Sequence, residues 1–84
     1  MASGILPSTS PVVVVFQDYF KLPMTATLKS SNVARLVEFS TDGGIEYFTP
    51  TYDKTSSTMI AVISNSRLTH LRFTGAAGDT WSIL

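Results

Sequence analysis

General acid–base chemistry asks for His, Asp or Glu brought within hydrogen-bond reach of a reacting group, and this chain offers one histidine and six carboxylates. His70 stands in the run Thr69-His70-Leu71-Arg72-Phe73, where alternation puts Leu71 and Phe73 on one face of a strand and His70 and Arg72 on the other. No carboxylate or hydroxyl nucleophile is spaced to stand beside His70, so it reads as a surface residue of a strand. Serines and threonines are abundant, yet none sits in a Gly-x-Ser-x-Gly elbow. The expectation is no catalytic residue and no enzyme.

Metal chemistry fares no better. With no cysteine in the chain, thiolate sites are excluded, and Asp42, Asp53 and Asp79 are hard oxygen donors suited to calcium rather than zinc. Asp42 and Asp79 adjoin glycines in turn-forming runs, where aspartate is used for local hydrogen bonding, and no twelve-residue calcium loop is present. Neither metal nor cofactor is expected. Aromatic side chains can serve as platforms for sugar rings, and Tyr19, Phe20 and Tyr52 are the exposed candidates for glycan contacts.

The elements that would carry these residues are strands. Met24 to Lys29 alternates, with Met24, Ala26 and Leu28 inward. Val33 to Ser40 does the same, with Val37 and Phe39 in the core and Arg35 at the rim. Asp42-Gly43-Gly44 supplies the positive-φ positions of a tight turn, after which Ile45 to Phe48 is expected to return as a strand. Thr49 to Thr58 reads as a long surface connection. Thr58 to Ile63, Thr69 to Phe73 and Thr80 to Leu84 complete the set, Trp81 and Ile83 pointing inward. The stretches 26–47 and 61–81 look like two copies of one pattern, which makes the hairpins Val37 to Tyr47 and Leu71 to Ile83 equivalent. No segment keeps a 3.6-residue period over a helix length. The fold class expected is all-β: a small antiparallel β-sandwich of about seven strands, immunoglobulin-like or jelly-roll-like.

Before it, residues 1–11 are small, polar and interrupted by Pro7 and Pro11, which predicts an extended N-terminal arm ahead of a single domain over 12–84. Val12 to Phe16 follows as an apolar run without alternation, the mark of a strand covered on both faces or paired at an interface.

Composition points the same way. At 84 residues with 44% hydrophobic and 14% charged side chains, the chain has a thin core and a surface poor in the charges that keep monomers apart. Ser and Thr fill about a quarter of positions, against about one in eight usually. Oligomerisation is a common remedy for a small core without disulfides. The six basic residues are scattered and the net charge is zero, which argues against nucleic acid as partner. No apolar run approaches a membrane span, and no basic n-region precedes Ile5 and Leu6, so neither membrane insertion nor a signal peptide is expected.

The arm Ala2-Ser3-Gly4-Ile5-Leu6-Pro7-Ser8-Thr9-Ser10, the turn Ser40-Thr41-Asp42-Gly43-Gly44 and the terminal run Phe73-Thr74-Gly75-Ala76-Ala77-Gly78-Asp79-Thr80-Trp81 together resemble small accessory proteins of tailed bacteriophage particles: capsid decoration or cement proteins, and short tail modules. The resemblance implies a virion protein that forms trimers or other rings and clamps subunits of the shell, its partners being copies of itself and a major capsid or other virion protein. The interface residues expected are Ile5, Leu6, Val12, Val13 and Val14 from the arm and first strand, with Tyr19 and Phe20 from the loop after it. A glycan-binding module is the alternative function, and a tail or baseplate component a second.

Overall fold

The computed structural model describes residues 2–7, 11–16, 21–30 and 35–84. Eight strands and no helix are found among them: β1 (Ala2–Ile5), β2 (Val12–Val15), β3 (Met24–Lys29), β4 (Leu36–Ser40), β5 (Thr51–Lys54), β6 (Thr58–Ile63), β7 (His70–Thr74) and β8 (Thr80–Ile83). They form a five-stranded sheet in the order β1-β8-β3-β6-β5 and a three-stranded sheet in the order β2-β7-β4, and every pairing is antiparallel. The protein is a small β-sandwich.

The pairing pattern decides the winding that turn spacing left open. Strand β1 pairs with β8, β2 with β7 and β3 with β6, while β4 reaches the segment leading into β5 through the Phe39–Phe48 bridge. Those partners belong to one long two-stranded ribbon, and the pairs β3–β8 and β4–β7 show it rolled over on itself. That is jelly-roll winding. The departure is β5, which leaves β4 after the bridge and hydrogen-bonds to β6 instead.

Alternation explains the core. Met24, Ala26 and Leu28 of β3 lie opposite Ile63, Ala61 and Met59 of β6, and all six are buried. Ile83 and Trp81 of β8 continue those rows on the other side of β3. The facing sheet contributes Val37, Leu71 and Phe73. Phe73 stacks on Trp81 across the interior, with ring centroids 5.1 Å apart and planes at 19°, an arrangement worth about 0.5–1.5 kcal/mol beyond the area it buries. Gly4 lies opposite Trp81 on β1. A Cβ there would stand 2.8 Å from the indole, so only glycine lets the strand close over the ring.

Several sequence expectations change, among them that for Arg35, expected at the rim of its strand and in fact 6% exposed just ahead of β4. Ala2–Ile5 is extended, as expected of an arm, but it is strand β1 of this chain's own sheet, and Leu6 behind it is 1% exposed in the core. Thr51–Lys54 is a strand within what reads as a connection; all four residues are exposed, so no burial pattern announces it. Ile45 and Glu46 do not return as a strand, because the Asp42 carboxylate takes both their N–H groups and pairing resumes only at Phe48. Leu71 to Ile83 is not a hairpin, since β7 and β8 lie in different sheets; the β7–β8 connection crosses the sandwich, held by the Leu6 N–H donating to the Asp79 carbonyl at 2.7 Å and the Gly78 N–H donating to the Leu6 carbonyl at 2.9 Å. The two copies suggested by the sequence are therefore not equivalent structures.

Candidate interaction surface

Strand registers sort the surface into two ends. Ser40 closes β4 beside His70, which opens β7; Ile63 closes β6 beside Met24, which opens β3; and Leu84 exchanges backbone hydrogen bonds with Thr25. The β4–β5 and β6–β7 connections and the C-terminal residue thus share one end. The other end carries the turn 55–57 and the β7–β8 connection, both made of small or polar residues.

The first end is apolar in an unusual way. Ile45 is 86% exposed, Leu84 67%, and Phe48, in the same connection as Ile45, is also exposed. Monomeric proteins do expose single apolar side chains, and the segments at this end carry three of them. Next to Phe48, which pairs with Phe39, lies a depression of about 280 Å³ lined by Phe39, Thr49, Pro50, Thr51, Val62, Ile63, Ser64 and Asn65.

The turn presenting Ile45 is tightly built. Ser40, fully buried, donates its hydroxyl to Asp42 Oδ1 at 2.7 Å and accepts the Gly44 N–H at 2.9 Å. Asp42 Oδ1 also accepts the N–H groups of Ile45 at 3.2 Å and Glu46 at 3.0 Å. Gly43 N–H donates to Thr69 Oγ1 at 3.0 Å, anchoring the turn to the neighbouring connection. Gly43 and Gly44 have φ of 84° and 89°, a region that side-chain-bearing residues avoid. The Glu46 N–H, then the Ser40 hydroxyl, hold the Asp42 carboxyl below its ordinary value, because each hydrogen bond favours the charged form.

The turn folds back over the outer face of the smaller sheet. Tyr47 places its ring 3.9 Å from the Arg72 guanidinium carbon, and Arg72 Nη2 reaches Glu38 Oε1 at 2.8 Å across the strand pair. His70 lies beneath Gly44, where an added Cβ would meet its ring at 3.7 Å; its Nδ1 is buried and finds no hydrogen-bond partner among the described residues. At the opposite end Asp79 is likewise held low, by the Ser30 hydroxyl first and the Ala76 N–H second. Among the described residues no cluster of His, Asp and Glu could hold a metal. Asp42 and Asp79 are turn residues in the structure, as their neighbours suggest.

The residues expected at an interface scatter. Ile5 is 66% exposed on the outer face of β1, whereas Leu6 belongs to the core and cannot serve as a contact. Strand β2 alternates after all: Val12 and Val14 turn toward the core, and Val13 is half exposed on the outer face. Four consecutive valines hide this, since both faces of the strand are apolar and only one is covered. Tyr19 and Phe20 lie outside the described residues. Tyr52, the remaining glycan candidate, is exposed on β5, the edge strand of the larger sheet. Sequence reasoning missed Ile45, Phe48 and Leu84. The available signal was Ile45 itself, a large apolar side chain directly after a Gly-Gly turn.

On the outer face of the larger sheet Ser3, Ser82, Thr27, Ile60 and Asp53 form one transverse row, and Ile5, Thr80 and Lys29 form part of the next. A second, shallow depression of about 500 Å³ lies over these rows, between β1 and β3. Comparison of the chain with protein-family models, with curated proteins and with solved structures finds no match.

Proposed function

We propose that this protein is a structural subunit of a virion, of the capsid-decoration type, which assembles as a ring of three copies and clamps neighbouring shell subunits without catalysis. The observation that carries the reading is the apolar end, where Ile45, Phe48 and Leu84 stand exposed on a chain with only 14% charged residues. Burial of such side chains against a partner is favourable by about 25 cal/mol per Å², less the cost of immobilising the partners. The resemblance in the N-terminal, Ser40–Gly44 and Phe73–Trp81 runs supplies the virion context, and jelly rolls recur among viral capsid and lectin domains. The major capsid protein or another shell component is the second partner. Nucleic acid and membrane have no part in the reading.

The test is the protein inventory of purified particles. Recovery of the chain in stoichiometric copy number, on the protease-accessible exterior of the particle, is the expected result; its absence from intact particles overturns the virion reading.

A second reading is a glycan-binding module. It is favoured by the hydroxyls of Ser3, Thr27, Thr80 and Ser82, with Lys29, around the depression on the larger sheet. Calorimetric titration with defined sugars tests it, and loss of the heat on changing Thr27 and Ser82 to Val would place the site there.

A further inference from the structure

We infer that copies of this chain associate knob into hollow, Ile45 of one copy seating in the Phe39–Pro50–Val62–Ile63 depression of the next. The inference rests on the structural reading above and names the surface it uses.

Three observations converge. The knob is pre-organised: Ile45 is 86% exposed on a turn fixed through Ser40, Asp42, Gly44 and Thr69, so docking it costs little conformational entropy. The hollow, about 280 Å³, has a mixed lining, Phe39, Pro50, Val62 and Ile63 together with Thr49, Thr51, Ser64 and Asn65, and it is large enough to admit a sec-butyl side chain against Phe39 and Val62. The charges beside them are complementary. Glu46 follows the knob, Arg67 comes two residues after Asn65 of the hollow and donates its N–H to the Asn65 side chain, and both are exposed and outside any ion pair among the described residues. A copy that inserts Ile45 brings its Glu46 toward the Arg67 of its neighbour. Rim charges of opposite sign steer and register such a contact.

A second copy is therefore the occupant. Knob and hollow are different patches, so the contact is heterologous and generates a ring or a filament. Each copy donates one knob and receives one, and the ring is the closed form of this contact that the proposal commits to.

Sedimentation velocity and light scattering on the full chain, from micromolar to millimolar, test this with four variants: Ile45→Asp, Glu46→Arg, Arg67→Glu and the double Glu46→Arg/Arg67→Glu. The unaltered chain should reach a fixed mass, and higher salt should weaken it. Ile45→Asp should raise the dissociation constant at least tenfold, each single charge reversal about threefold or more, and the double reversal should return to within about twofold of the unaltered chain. Circular dichroism and thermal melts of all four should match the parent, because the altered side chains are exposed. Association of the Ile45→Asp variant as tight as the parent's, a double reversal no tighter than the singles, or growth without a limiting mass each overturns the knob-in-hollow ring. An oligomer indifferent to all four variants sinks this surface and leaves the oligomeric reading standing, while a parent chain that stays monomeric throughout sinks both.

Discussion

Replacing Leu6 by Ala separates two pictures of the N-terminus, because Leu6 and its neighbour Ile5 occupy opposite environments on adjacent positions. Leu6 is 1% exposed, its backbone ties the β7–β8 connection through both its N–H and its C=O, and its Cδ1 lies 2.9 Å from where a Gly75 Cβ would stand. Ile5 is 66% exposed on the outer face. Truncating a buried leucine to alanine costs about 2–5 kcal/mol, the lost transfer free energy plus the cavity left behind. A domain of this size has about 4–13 kcal/mol of stability in all, taking 0.05–0.15 kcal/mol per residue. Leu6→Ala should therefore remove a large share of it, and at about 4–8 °C per kcal/mol the melting temperature should fall by about 8–40 °C. Ile5→Ala removes little burial and should stay within about 0.5 kcal/mol of the parent. Urea titration of both variants, followed by the fluorescence of Trp81, the only tryptophan, measures the difference at constant m-value. If Leu6→Ala proves as mild as Ile5→Ala, the N-terminal segment is not part of the core and the account of β1 fails.

Other perturbations follow from the same geometry. Gly4→Ala drives a methyl to within 3 Å of an indole clamped against Phe73, and overpacking of this kind costs about 1–3 kcal/mol; a near-ultraviolet dichroism spectrum and melting curve identical to the parent's would refute the close approach. Ser40→Ala leaves the Gly44 N–H without its acceptor and takes from Asp42 one of its three donors, for about 1–2 kcal/mol, read as faster amide exchange at Gly44. Asp42 and Asp79 both have folded-state pKa values below their unfolded ones. Their contribution is accordingly complete above the unfolded carboxylate value and is lost as pH falls below about 4 through the folded one. Asp42→Asn should flatten the fall in melting temperature over that acid range, and an unchanged slope would count against the turn network. Arg72→Lys keeps the charge but loses the flat guanidinium over Tyr47, at a cost of about 0.5–1 kcal/mol in a denaturant titration.

Much of this molecule was legible before any coordinates. The inward sets of β3, β6 and β7 follow from period-two alternation, because a residue that points into a core must be apolar at every second position. The turn at Asp42-Gly43-Gly44 was equally plain, since positive φ is affordable only to glycine. The surface was not legible. Whether the valines of β2 are covered on one face or two depends on which strands lie above and below them, and nothing local to Val12–Val15 records that. Strand β5 carries no pattern because all four of its residues are exposed.

Composition and alternation, then, determined that the chain is an all-β sandwich with a thin core and few charges, because those are properties of residues taken in order. Only the tertiary structure decided the jelly-roll winding, the place of Leu6 in the core and the exposure of Ile45, Phe48 and Leu84 on segments at one end. These depend on which distant strands pair, as β1 does with β8 and β4 with β7. The free energy of such pairings is settled between segments far apart in the chain, where sequence periodicity carries no signal.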